Sequence, residues 1–178
     1  MSKSMRFVVF LPVLAIVVAS MLLANMSGGG GGGAAVAAGD SLYNPPESSL
    51  AAVLSADSFD SPVSVNADGI VSYRIGTSGG NPVGAVFVVS VTGWEPGLTF
   101  LVGVDSGGVI SGVEIIQQNE TPSFWEMVED ARFYRGLVGN TVGMEFHAVS
   151  GATRTSQAIF DGANAAVDYF TRNILPTL

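Results

Sequence analysis

Two apolar, β-branched runs flank Asp105-Ser106-Gly107-Gly108 in the stretch LTFLVGVDSGGVISGVEIIQQ, Leu98 to Gln118. β-Branched side chains suit a pleated surface, and Asp with Gly supplies a tight reversal, so the stretch predicts a hairpin with Asp105 as a turn residue. An isolated hairpin is marginal in water and needs further strands to bury a face. Two more are at hand. PVGAVFVVSVTGW, Pro82 to Trp94, is rich in β-branched and aromatic residues, and GIVSYRIGT alternates Ile70, Ser72 and Arg74 against Val71, Tyr73 and Ile75. A last strand is predicted at VGMEFHAV, Val142 to Val149.

Helical patterns surround these strands. SSLAAVLSADSF predicts a short helix with Ser48 or Ser49 as N-cap. Phe124 to Leu137 predicts another, with Phe124, Met127, Val128, Ala131, Tyr134 and Leu137 on one side. The closing helix places Ala158, Ile159, Ala163, Ala166, Val167, Phe170 and Ile174 at three- and four-residue spacing, and Pro176 helps end it. The helix face from Ile159 to Phe170 is expected to be core. Consecutive antiparallel strands with helices before and after predict an α+β domain, a mainly antiparallel sheet with flanking helices, over residues 44–178.

Ahead of that domain the composition changes. Lys3 and Arg6 precede an uncharged run of 18 residues from Phe7 to Ala24. A membrane-spanning helix needs roughly 20 residues, and Pro12 is tolerable inside one. Two readings stand for this run, a retained transmembrane anchor and a cleaved signal peptide. The length of the run and the poor cleavage site at LLANMSGG favour the anchor. The leading basic residues then keep the N-terminus cytoplasmic and send the acidic remainder outside the cell membrane, as a single-pass topology. Six glycines from Gly28 to Gly33 follow, in a stretch that cannot hold a helix or strand against its backbone entropy. The expected organisation is an anchor over 1–26, a Gly/Ala-rich linker over 27–43 and an extracytoplasmic domain over 44–178.

The charge and residue inventory excludes much chemistry. Fifteen acids against seven bases argue against nucleic acid as a partner. With no cysteine and one histidine, His147, thiolate chemistry is absent and a histidine metal cluster has nothing to build on.

The segment SGATRTS, Ser150 to Ser156, opens the closing helix. A helix start leaves backbone N–H groups unpaired and carries partial positive charge, which suits a phosphate. Gly151 and Ala152 give access, Ser150, Thr153, Thr155 and Ser156 give hydroxyls, and Arg154 gives a cation. Plain helix capping accounts for the same residues on physical grounds, and no lysine stands where a P-loop needs one.

SGATRTS resembles the flavinylation motif Asp-x-x-Ser/Thr-Gly-Ala-Thr-x-Ser/Thr-Ser of the FMN-binding domain family, which includes the G subunit of Rnf electron-transport complexes and the C subunit of the sodium-pumping NADH:quinone reductase. GLTFLVGVDSGGVISGVEIIQQNETPSFWE is similar to that family's strand-turn-strand segment with its Glu-Thr-Pro signature, and ADSFDSPVSV and the N-terminal apolar run also suit the Rnf member. The resemblance implies FMN joined by a phosphoester to Thr153, with Glu120 and Thr121 near the flavin and Trp125, Phe124 and Trp94 as candidates to pack on its ring. It implies a membrane-anchored electron-transfer subunit, partnered by other subunits of an ion-translocating complex and by a flavin transferase during maturation. His147 stands where the motif carries an acid, and SFWE replaces the usual glycine-rich continuation after Glu120-Thr121-Pro122. Two alternatives therefore stand beside it, a free-standing anchored flavoprotein and a binding module of the same fold that has lost its flavin.

Overall fold

The computed structural model describes residues 43–178. The apolar run and the glycine stretch lie outside the described residues. Among the described residues no helix is long and apolar enough to cross a membrane.

The sheet is antiparallel throughout, and its centre is the predicted meander. β3 (Ile70–Ser78), β4 (Asn81–Thr92), β5 (Pro96–Asp105) and β6 (Ile110–Gln117) pair in sequence order. Two short strands that sequence patterning missed, β1 (Ser58–Phe59) and β2 (Val63–Ala67), both pair with β3. They act as one edge strand interrupted at Asp60-Ser61-Pro62, since proline cannot donate to a ladder. The predicted hairpin turn forms as expected, with Asp105 Oδ1 accepting the N–H groups of Gly107 (2.9 Å) and Val109 (3.0 Å).

β4 and β5 are buried on both faces, so alternate residues serve two cores. One face presents Ala85, Phe87, Val89, Leu98, Phe100, Val102 and Val104 to the closing helix α3 (Thr153–Tyr169), which answers with Ile159, Ala163, Ala166 and Val167, followed by Phe170. The predicted helix face is thus core, except that Ala158 is only half-buried. Helical turns run on past Tyr169 through Thr177, with Pro176 in the last one.

The other face presents Val86, Val88 and Leu101 to Leu50, Val53 and Leu54 of the short helix α1 (Glu47–Val53) and its C-terminus. That helix lies almost on the sheet backbone. Gly103 and Gly112 face each other across β5 and β6, and a Cβ on Gly103 would sit 2.1 Å from the Val53 carbonyl oxygen. Ser111 Oγ donates to the same oxygen at 2.6 Å, which helps satisfy the helix end. The expected cap at Ser48 or Ser49 is corrected: Pro46 holds the N-cap position and both serines lie in the first turn.

Two further expectations are corrected. The helix predicted over Phe124 to Leu137 is α2 (Pro122–Asp130), then a break, then a 3-10 turn at Tyr134–Leu137. Arg132 takes a left-handed φ of 51°, and this reversal lets Val128, Tyr134 and Leu137 all reach the core while Met127 and Ala131 stay exposed. The strand predicted at Val142 to Val149 does not form. Its alternating apolar residues pack on side chains rather than beside a strand: Phe146 meets Phe160 at 5.0 Å and Phe133 at 6.3 Å between ring centres.

Candidate functional site

Three chain segments meet around one carboxylate. Glu120 is only 5 % exposed. Its Oε1 accepts the N–H of Glu95 (3.2 Å), and its Oε2 accepts the N–H of Trp94 (3.1 Å) and the hydroxyl of Thr155 (2.5 Å). A buried carboxylate is costly unless hydrogen bonds replace its water, and here three donors do so. The carboxylate therefore ties the β4–β5 turn to the start of α3. Gly93 makes room for it, since a Cβ there would lie 2.4 Å from Oε1. Thr121 follows at the N-cap of α2 with Pro122 in the first turn, so the Glu-Thr-Pro segment positions a helix as well as the carboxylate.

The SGATRTS segment divides its residues between inside and outside. Ser156 is fully buried, bonded through Oγ to the carbonyls of Ala152 and Thr153 and to the N–H of Val149. Thr155 is spent on Glu120. Ala152 is buried, and Gly151 takes a φ of 84° that favours glycine. Ser150, Thr153 and Arg154 face solvent. No side chain caps the start of α3, and no acid lies in its first turn. The exposed face of this helix start thus combines uncapped N–H groups, the Thr153 hydroxyl and a guanidinium.

The guanidinium of Arg154 lies over the ring of Trp94, 5.1 Å from its centre, and the ring of Phe124 meets Trp94 edge-on at 5.3 Å. Trp94 nevertheless remains 47 % exposed. Thr153, Arg154, Gly93, Thr92, Gln157 and Asp161 line a depression of about 300 Å³. That is the low end for a small-molecule site. Thr92 and Asp161 also line a larger open groove of about 1280 Å³ along α3, so a ligand seated at Thr153 has room to extend.

Two sequence candidates lie elsewhere. Trp125 stacks on Tyr134 (6.3 Å, 14°) in a groove against β6, away from the depression at Thr153. His147 is exposed, its Nε2 3.8 Å from a Glu145 carboxylate oxygen. Sequence reasoning named Glu120 but not its donors. Nothing in the pattern shows that Thr155 turns inward to a residue 35 positions earlier.

Comparison with known proteins bears on the same segments. Residues 93–168 match the family described as FMN-binding domain, a span that opens at Gly93 and takes in Glu120 and Thr153. The chain is 31 % identical over 109 residues to the G subunit of the ion-translocating oxidoreductase complex of Methanosarcina acetivorans. It is 25 % identical over 113 residues to a protein of the same description from Aliivibrio fischeri. It is 29 % identical over 115 residues to the G subunit of the Na(+)-translocating ferredoxin:NAD(+) oxidoreductase complex of Acetobacterium woodii. These alignments cover 56 %, 55 % and 57 % of this chain and 58 %, 54 % and 56 % of the respective relatives, so the chain spans little more than half the length of each.

Proposed function

Taking its FMN-binding domain as the premise, we propose that this chain is a flavin-carrying electron-transfer subunit of an Rnf-type ion-translocating complex, with FMN held as a phosphoester on Thr153. The observation that carries the reading is the exposed Thr153 hydroxyl on an uncapped helix start, inside the matched segment.

The residues present suit such a group. The phosphate would sit on the Thr153 oxygen, against the first-turn N–H groups of α3 and within reach of Arg154. Trp94, covered in part by Arg154 and met edge-on by Phe124, still leaves 47 % of its surface exposed beside that point. The flavin supplies the redox chemistry when bound. The chain's part is to hold the phosphate, orient the ring and set the charge around it. Glu120 contributes by fixing the Trp94 turn against the Thr155 turn, so that both walls of the depression keep their spacing. A covalent tether also suits a domain outside the cytoplasm, where a lost cofactor would not be replaced, and it makes ring docking intramolecular. In this reading the apolar run at residues 7–24 anchors the chain, a flavin transferase loads Thr153, and other subunits of the complex exchange electrons with the flavin and move the ion.

The test uses the full chain expressed with a flavin transferase. In the transferase step Thr153 Oγ1 bonds to the flavin-side phosphorus of a flavin dinucleotide, the phosphoanhydride bond breaks, and the nucleoside monophosphate leaves with the hydroxyl proton released. The chain thereby gains FMN less one water, about 440 Da in intact mass. A fluorescent band should survive denaturing electrophoresis, and Thr153→Ala should abolish it with the melting temperature unchanged. Unmodified Thr153 in protein purified from its native membrane overturns the reading. His147, in place of the motif's acid, is the observation favouring the second reading, a module of the same fold without flavin, and bound flavin in stoichiometric amount excludes it.

A further inference from the structure

The outer edge of the sheet is a second place that lacks a partner. β6 ends the strand order and pairs only with β5. On its far side the backbone of Ile110 is taken up, with its N–H donating to Asn140 and its carbonyl accepting from Gly139, both at 2.9 Å. Among the described residues, no other chain segment hydrogen-bonds to the backbone of residues 112–117 beyond β5. A groove of about 640 Å³ runs along this stretch, between Val113 to Gln118 on one side and Trp125, Glu129, Tyr134 and Arg135 on the other. Edges left unpaired in this way are templates for an added strand, and natural proteins normally blunt them with charge, proline or a covering element.

The charges in the groove say what would fill it. Glu129 already accepts the Tyr134 hydroxyl (2.8 Å) and lies 3.6 Å from Arg135. Glu114 is uncompensated, and its Oε2 is buried with no hydrogen-bond partner among the described residues. A buried acceptor left unpaired is costly, so the groove calls for a donor. A second copy of this chain fits badly. Edge-to-edge pairing would bring two Glu114 carboxylates onto one ladder, in a chain whose net charge is −8.

We propose that the β6 edge from Gly112 to Gln117 receives an extended peptide segment of a protein partner, which adds a strand and sets a lysine or arginine against Glu114. The pairing is independent of the flavin site.

The test titrates the full chain with short capped peptides of alternating valine and lysine. The Val–Lys peptide should bind and slow amide exchange at residues 112–117. N-methylation of its backbone amides, which leaves the protein untouched, should weaken it by about tenfold or more, a loss of about 1.4 kcal/mol. Glu114→Gln should weaken the same peptide several-fold with the far-UV spectrum unchanged. Equal binding of a Val–Glu peptide overturns the proposal. So does protection outside the β6 edge, or concentration-dependent protection of the edge without peptide, which would mean self-association.

Discussion

Thr155 Oγ1 donates to Glu120 Oε2 at 2.5 Å, and the same carboxylate takes the N–H groups of Trp94 and Glu95. A hydrogen bond to a buried charge contributes about 1.5–3 kcal/mol. Thr155→Val keeps the side-chain shape and removes one donor, so it should cost about 2 kcal/mol, read as a lower urea midpoint at unchanged slope. Glu120→Gln turns an amide NH2 against at least one backbone N–H whichever way it flips, and should cost about 3 kcal/mol. The double variant should lose less than the sum of the two, because the glutamine has already weakened the charged acceptor that Thr155 donates to. Strict additivity would show that the two residues are not coupled.

Two glycines in the same region should respond differently to alanine. At Gly93 the added methyl group would lie 2.4 Å from Glu120 Oε1, which is buried and held by its donors. At Gly151 the nearest atom is Met127 Sδ at 2.6 Å, and that methionine is 40 % exposed and free to swing aside. Gly151→Ala then costs the left-handed backbone term of about 1–2 kcal/mol. Gly93→Ala should cost more, about 3 kcal/mol, because the clash also loosens the Glu120 bonds. Thermal melts of the two variants side by side rank them, and a larger loss for Gly151→Ala would contradict the clamp at Glu120.

The local signals that matched the structure are those where patterning and packing agree. The Asp105 turn, the β3–β6 meander and the inward face of α3 follow from turn chemistry and from two- and 3.6-residue periods. What failed depends on neighbours far along the chain. Met144 and Phe146 alternate like a strand, yet helix and loop side chains cover them. Tyr134 and Leu137 fit a continuing helix, yet Arg132 reverses the chain before them. At the site, the motif residues were readable but their directions were not. Thr153 and Thr155 are two positions apart on a helix and so point to different sides, one to solvent and one to Glu120.

The histidine ahead of the motif gives a gain-of-function test of the proposed flavin link. His147 is exposed, and among the described residues its charged neighbour is Glu145 at 3.8 Å. An aspartate there restores the acid of the resembled motif without touching the core. His147→Asp should raise the flavinylated fraction several-fold in the same co-expression, measured by intact mass. Its effect on stability should stay within about 0.5 kcal/mol, as for other exposed positions. An unchanged fraction would show that the transferase does not read this position.

Alkaline pH should weaken the fold through two packed phenols. Burial raises the pKa of Tyr134 above the ordinary 10.0, and its hydrogen bond to Glu129 and that residue's negative charge add to the rise, against an opposing effect of Arg135. Burial also raises Tyr73, with Tyr169 adding to it. In both cases the unfolded chain releases the proton first. The stabilisation is fully present below pH 10 and is lost as pH rises through the folded-state values. Urea unfolding followed upward from about pH 8 should therefore show a plateau and then a fall above about pH 10. Tyr134→Phe removes the Glu129 bond, so its plateau should lie lower while its alkaline fall is shallower. Tyr73→Phe should make the fall shallower too. If neither substitution changes the slope above pH 10, other groups drive the alkaline loss.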